Sequence, residues 1–275
     1  MNMSKKAFVF DLDGTLLNSE KKIFDENLEI INKLIDDGHF VAIITGRNFS
    51  QIGDYLEPLK KIRYFVVLNG GVVYDNQTKK MDYKSKPLDI NIVKYMVTKV
   101  QSIKRELQFS NHERLYRVYF GNNIFEDIKE PNFFKDATKN PKYDNWNDVS
   151  HLLNENILRI AIRCEKHYRL EIMHELNALG LDKICHVSES SNTYIECDPI
   201  GISKFNTLVT ILEQHKIDLD DLYAFGDSEN DLSVLSKIKN SVAMGNANDN
   251  IKKSCKYVID NNNTLAIANF LKQFI

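Results

Sequence analysis

Short apolar runs that stop at polar or turn-forming residues constrain this chain most. They lie at Ala7 to Phe10, Phe40 to Ile44, Phe65 to Leu68, Leu222 to Phe225 and Ser241 to Met244. Because their apolar residues are consecutive rather than alternating, they read as strands buried on both faces, the mark of a parallel sheet. A parallel pair needs a crossover, and a helical pattern between the first two runs supplies one: Phe24, Leu28, Ile31 and Ile35 share a face, and Asp37-Gly38 offers a stop. Further helical patterns follow Ser203 (Phe205, Leu208, Val209, Leu212) and Asp227 (Leu232, Leu235, Ile238). The expected fold class is α/β, with a doubly wound, Rossmann-like parallel sheet as core.

From about Lys84 to Glu196 the pattern changes. Leu115 to Phe120, Ile157 to Cys164, Ile184 to Ser188 and Thr193 to Cys197 include alternating stretches separated by helical ones. Alternation suggests a sheet with one solvated or partner-facing side. The block is long enough to stand alone, so residues 84–196 are expected to form an inserted α/β domain, with 1–83 and 197–275 as the core. Asn132 to Asp148, polar and containing Pro141, reads as a long loop.

Composition narrows the partners. A chain of 275 residues, 43% hydrophobic and 27% charged, can bury a sizeable core. Its formal net charge of -2, without long single-sign runs, gives no electrostatic footprint for nucleic acid or an anionic membrane, and favours a small-molecule partner. The apolar run before Asp11 is too short for a signal-peptide core or a membrane span, so a cytoplasmic address is expected. Cys164, Cys185, Cys197 and Cys255 are widely spaced without a C-x-x-C pair and read as reduced thiols. His167 and His174 belong to no H-E-x-x-H pattern.

Four constellations could carry chemistry. Asp11-Leu12-Asp13-Gly14-Thr15 follows the first apolar run directly, where ligands of open α/β sheets bind. Two carboxylates so close repel, and a hard divalent cation with oxygen ligands, magnesium above all, is the natural neutraliser. Thr45-Gly46-Arg47 ends the next run and offers a hydroxyl, exposed amides and a guanidinium, groups suited to phosphate oxygens. In Gly201-Ile202-Ser203-Lys204, Ser203 caps a helix and Lys204 lies in its first turn, where it opposes the dipole unless an anion is bound nearby. Gly226-Asp227-Ser228-Glu229-Asn230-Asp231 adds two more carboxylates after the Leu222 to Phe225 run. Each piece alone has a plainer reading: Asp-x-Asp-Gly is commonly a turn, Lys204 a solvated charge, and Asp227 or Asp231 a helix cap. Order and placement favour a joint metal-phosphate site. Neither the P-loop pattern G-x-x-x-x-G-K nor the dinucleotide pattern G-x-G-x-x-G occurs.

With DLDGTLL at 11 to 17, TGR at 45 to 47, NGG at 69 to 71, GISK at 201 to 204, GDSEND at 226 to 231 and AMGNA at 243 to 247, the chain resembles the haloacid dehalogenase superfamily, specifically its Cof-type phosphatases. Those proteins carry a large α/β cap inserted after the third core strand. The resemblance implies that Asp11 takes the phosphoryl group as an aspartyl phosphate and that Asp13 serves as general acid and base. It implies magnesium on the Asp11 and Asp227 carboxylates and the Asp13 carbonyl, with Asp231 holding coordinated water. Thr45, Lys204 and Asn230 are implied to bind phosphoryl oxygens, with Gly46 amides alongside and Arg47 gripping substrate or cap. Cap residues, among which Tyr116, Tyr119 and Trp146 are candidates, are expected to select a sugar phosphate or similar metabolite. Phe205 stands where relatives often have glycine, and the tail from Ile259 to Ile275 lacks their threonine-rich ending. A phosphomutase, or an idle phosphometabolite sensor, is the alternative for the same residues.

Overall fold

A computed structural model of the protein describes residues 5–111, 114–121, 142–143, 156–190 and 193–275. These divide into two compact units, one of Met1–Gly46, Tyr55–Lys84 and Ser203–Ile275, the other of Arg47–Asp54 and Ser85–Ile202. The first unit begins with β1 (Ala7–Phe10), β2 (Phe40–Ile44) and β3 (Tyr64–Val67). A hairpin absent from the sequence reading follows, β4 (Val72–Asp75) and β5 (Lys80–Tyr83), antiparallel to β3 and to each other. The second unit contributes β6 (Glu106–Ser110), β7 (Leu115–Tyr119), β8 (Lys142–Tyr143), β9 (Arg159–Arg163), β10 (Cys185–Ser190) and β11 (Tyr194–Pro199). The chain then returns to the first unit with β12 (Leu222–Gly226), β13 (Asn240–Ala243) and β14 (Tyr257–Val258).

In the first unit the strand order is β14-β13-β12-β1-β2-β3-β4-β5, parallel from β14 to β3. Every residue of β1, β2 and β3 is buried, which explains their unbroken apolar sequence. One face of the sheet (Val9, Ala42, Val66) packs against Leu208, Ile211 and Leu212 of the Lys204–Gln214 helix, together with Val234, Leu235 and Ile251. Aromatic residues of the tail cover part of the opposite face. Phe274 lies 5.1 Å from Phe8 and 4.8 Å from Tyr223, and Phe270 lies 5.6 Å from Phe225, ring centroid to centroid. The divergent tail thus builds core.

The Asp25–Asp36 helix corrects the expected face. Its buried residues are Asn27, Ile30, Ile31 and Leu34, whereas Phe24, Leu28 and Ile35 are only partly buried. The stripe is rotated because it includes an asparagine: Asn27 Oδ1 accepts a hydrogen bond from the Ala268 N–H at 3.0 Å. The Ala266–Leu271 helix lacks a side-chain cap of its own, and Asn27 supplies one to its first turn.

In the second unit the strand order is β10-β11-β9-β6-β7-β8, antiparallel except for β7 with β8. The alternating faces are real. Leu107, Phe109, Ile160, Ile162 and Ile195 join a core with Ile92, Met96, Ile172 and Leu176 from the Ile90–Ile103 and Lys166–Ala178 helices. Alternate positions carry Glu106, Gln108, Arg117, Arg159 and Arg163, and these are buried rather than solvated. Charges pair there: Arg117 with Glu106 at 2.8 Å and Arg159 with Asp198 at 2.6 Å. Tyr116 stacks on Phe109 within the apolar core, and the Tyr119 hydroxyl accepts from Arg117. Trp146 and the predicted Asn132 to Asp148 loop lie outside the described residues, apart from Lys142–Tyr143. The four cysteines are free thiols. No helix among the described residues is long and apolar enough to cross a membrane.

Candidate active site

Asp11 is the first residue past β1. Its N–H still donates to Phe225 O at 3.1 Å, so sheet register is held up to the carboxylate. Leu16 N–H returns to Asp11 O, folding the segment into a compact turn. Gly14 has φ +75°, and a Cβ there would sit 2.2 Å from an Asp227 carboxylate oxygen, so the turn needs glycine for both shape and space.

Lys204 opens the Lys204–Gln214 helix, whose N-cap Ser203 accepts from the Asn206 N–H. Its side chain is 1% exposed, and Nζ donates to Asp11 Oδ1 at 2.7 Å and to Asp231 Oδ1 at 2.6 Å. The anions that offset a cation in a first helical turn are thus the protein's own carboxylates. Asp231 has two tasks. Its Oδ2 accepts from the Asp227 and Ser228 N–H groups at 3.0 Å each, closing the turn after β12, while Oδ1 holds the lysine.

Asp227 is oriented from both sides. Thr15 Oγ1 donates to its Oδ1 at 3.2 Å, and Asn246 Nδ2 donates to its Oδ2 at 3.1 Å and to Gly14 O at 2.8 Å. One carboxylate oxygen each from Asp11, Asp227 and Asp231 lie within 4.8 Å of one another. Fully ionised, these three groups with Lys204 would bury two net negative charges. The conflict appears in their acidities. Burial pushes the Asp11 carboxyl well above its usual range, with Lys204 opposing and Asp231 and Asp227 adding to the rise. Burial also raises Asp227 to about 7, helped by Asp231 and resisted by Thr15. For Lys204, burial alone would favour the neutral amine, but Asp11 and Asp231 outweigh it and hold the ammonium. An all-oxygen donor set that keeps two net negative charges after Lys204 is counted fits a hard divalent cation.

The remaining predicted residues are placed differently. Thr45 is buried just beyond β2; its N–H donates to Val66 O and its carbonyl accepts from Asn69 N–H. Asn69, at φ 51°, accepts from Asn230 Nδ2 at 3.2 Å, and Asn230 accepts from Ser228 Oγ at 2.6 Å. Thr45 and Asn230 are thus linked through Asn69. Asp13 stands outside the three-carboxylate cluster, its Oδ1 bonded to Lys21 Nζ at 2.7 Å. Gly46 ends a segment of the first unit; Arg47 belongs to the second, where its Nη1 donates to Gln51 O at 2.9 Å. Phe205 packs against the first unit's core with Lys237 Nζ 4.6 Å above its ring. Sequence reading assigned no part to Thr15, Lys21, Ser228 or Asn246. Thr15 and Asn246 lie inside quoted motifs, but as neutral hydrogen-bond donors they contribute no charge pattern.

The family model described as haloacid dehalogenase-like hydrolase, Hydrolase_3, matches residues 8–271. Among similar proteins are the 5-amino-6-(5-phospho-D-ribitylamino)uracil phosphatase YcsE of Bacillus subtilis (strain 168), 26% identical over 98% of this chain and 96% of its own, and the pyridoxal phosphate phosphatase YbhA of Escherichia coli (strain K12), 24% identical over 98% of each. The solved structure of the HAD subclass IIB sugar phosphatase BT4131 superposes with a TM-score of 0.81 at 22% identity, covering 98% of this chain and 99% of that one. With nearly its whole length matched by the family model, and with a similar fold, the chain belongs to the haloacid dehalogenase-like hydrolases.

Proposed function

We propose that the protein is a magnesium-dependent phosphatase of small phosphate monoesters, acting through an aspartyl phosphate on Asp11. The carrying observation is the buried Asp11–Lys204–Asp231 array beside Asp227. Lys204 opposes the burial that favours the neutral acid at Asp11, as activation of a carboxylate nucleophile requires, and supplies a cation where phosphoryl oxygens gather charge. An Asp11 oxygen attacks phosphorus as the bond to the leaving oxygen breaks, and Asp13 gives that oxygen its proton. Asp13, now a carboxylate, then takes a proton from the water that attacks phosphorus, which frees Asp11 and releases inorganic phosphate. Such proton transfer contributes about 10²–10⁴-fold.

In this reading the Asp11 and Asp227 carboxylates and the Asp13 carbonyl would hold the magnesium, with Asp231 beside them holding coordinated water. When bound, magnesium neutralises the carboxylates and draws charge from a phosphoryl oxygen. Thr45 and Asn230, with Gly46 amides and Arg47, complete the phosphate contacts. The interposed unit acts as the cap that selects the leaving group. The names of the relatives, which specify a phosphoribityl compound, pyridoxal phosphate and sugar phosphates, support phosphorylated metabolites of that size as substrates. The test is phosphate release from such a panel, with and without magnesium, by wild type and Asp11→Asn. Release that needs magnesium and vanishes in the variant is expected; folded, magnesium-loaded protein that releases no phosphate would overturn the reading in favour of a mutase or sensor.

A further inference from the structure

Ile259 to Thr264 open the tail whose sequence departs from the resembling phosphatases, yet this stretch reaches the candidate site. It runs beside β13: Ile259 N–H donates to Ala243 O, and Gly245 N–H donates to Asp260 O. At Gly245 the two backbones are so close that a Cβ would lie 2.9 Å from Asn261 N. The tail is also tied to the segment after Asp11, since Asn262 Nδ2 donates to Leu17 O at 2.8 Å and Asn263 Oδ1 accepts from Ser19 N–H at 2.9 Å. Between these anchors, Asn262 N–H donates to Asn246 Oδ1 at 3.0 Å.

Asn246 passes that restraint on. Its Nδ2 donates to Gly14 O at 2.8 Å and to Asp227 Oδ2 at 3.1 Å. Reversing the amide would set Oδ1 against two acceptors and Nδ2 against the Asn262 N–H, so the three partners fix one orientation. The side chain is exposed, and hydrogen bonds open to water add only modestly to folding. What the amide holds is direction. With Thr15 Oγ1 on Asp227 Oδ1 and Asn246 Nδ2 on Oδ2, turning the carboxylate costs one bond or both. A carboxylate held in this way is aimed before an ion arrives, and outer partners of this kind strengthen metal binding.

We propose that Asn246 is a positioning residue for magnesium, held in turn by the main chain of the Ile259–Thr264 tail, which thereby becomes an outer layer of the metal site. This rests on the reading of Asp227 as a magnesium ligand. It assigns a task to a neutral amide and to the part of the chain that least resembles the family.

The test is calorimetric titration of magnesium into metal-free wild type, Asn246→Ala, Asn262→Ala, Asn263→Ala and the double variant Asn246→Ala/Asn262→Ala. Asn246→Ala is expected to raise the magnesium Kd about 10–100-fold. Its metal-free Tm should stay within about 4 °C of wild type. Asn262→Ala keeps the main-chain donor but loses the Leu17 anchor, so a smaller rise is expected, and it should vanish in the Asn246→Ala background. Asn263→Ala gives up the Ser19 contact alone and should stay within about twofold of wild type. An unchanged Kd in Asn246→Ala, an equal rise in Asn263→Ala, or an Asn262→Ala effect that persists in the double variant would overturn the proposal. Should Asn246→Ala not fold, Asn246→Ser, which also lacks the amide, takes its place. Phosphate release by the same wild-type protein separates the two readings: wild type that binds magnesium but releases no phosphate removes the phosphatase and leaves the positioning role to the Kd values. Wild type that binds no magnesium overturns the proposal.

Discussion

Lys204 spends both of its short contacts on carboxylates, and each of those carboxylates is itself buried. Removing the cation should therefore cost more than the pair contributes, because two charges stay behind without compensation. Lys204→Met is expected to lose about 3–5 kcal/mol of stability in urea unfolding without divalent metal. A loss below about 1 kcal/mol would mean that Asp11 or Asp231 simply takes up a proton. Asp227 gives a second handle. Its pKa is raised to about 7 from an ordinary 3.8, so between those values the folded, metal-free protein binds the extra proton. Stability of that form falls as pH rises through this window. Metal binding needs the carboxylate and competes with the proton, so its affinity rises over the same range. The increase in Tm on adding magnesium should be larger at pH 8 than at pH 5.5; an increase independent of pH would place the metal elsewhere.

Among the elements, the Asp25–Asp36 helix shows where sequence patterning reaches its limit. The 3.6-residue period is present, but a polar Asn27 sits in the buried stripe as the cap of another helix, so counting apolar residues turns the helix too far. Asn27→Leu should fill the space yet strand the Ala268 N–H, at a cost of about 1–3 kcal/mol measurable by denaturant midpoint. Strands β1, β2 and β12 were legible because burial on both faces demands unbroken apolar sequence. The hairpin was not: β5, a sheet edge reading Lys-Met-Asp-Tyr, carries charge where a central strand would carry valine. The site divides in the same way. Asp11, Lys204, Asp227 and Asp231 announce themselves by charge at strand and helix ends, whereas Lys21 acquires its partner from a loop geometry that side-chain identity does not encode.

At the scale of the whole molecule, each unit has its own sheet and its own apolar core, so unfolding need not be all-or-none. The three clustered carboxylates and Lys204 all belong to the first unit. Magnesium at about a hundred times its Kd should stabilise that unit by about 2.7 kcal/mol. Hydrogen exchange should show added protection in β1, β12 and the Lys204–Gln214 helix and little change in β6, β9 and β11. Equal gains in both units would show that they unfold as one.

In the first sheet β1 lies between β2 and β12, so its partner on one side is not made until the whole second unit has been synthesised. Asp11 and Lys204 are 193 positions apart. At about 5–20 residues per second, a ribosome takes roughly 10–40 s to bridge that interval. Throughout it the nascent chain carries a carboxylate with no site built around it, and an apolar strand with one open edge. The second unit, whose strands are contiguous in sequence, can fold in the meantime. Chemistry and sheet closure then arrive together, when Lys204 and β12 emerge, so a ribosome stalled before that point would present a folded second unit and a sticky, inert first one.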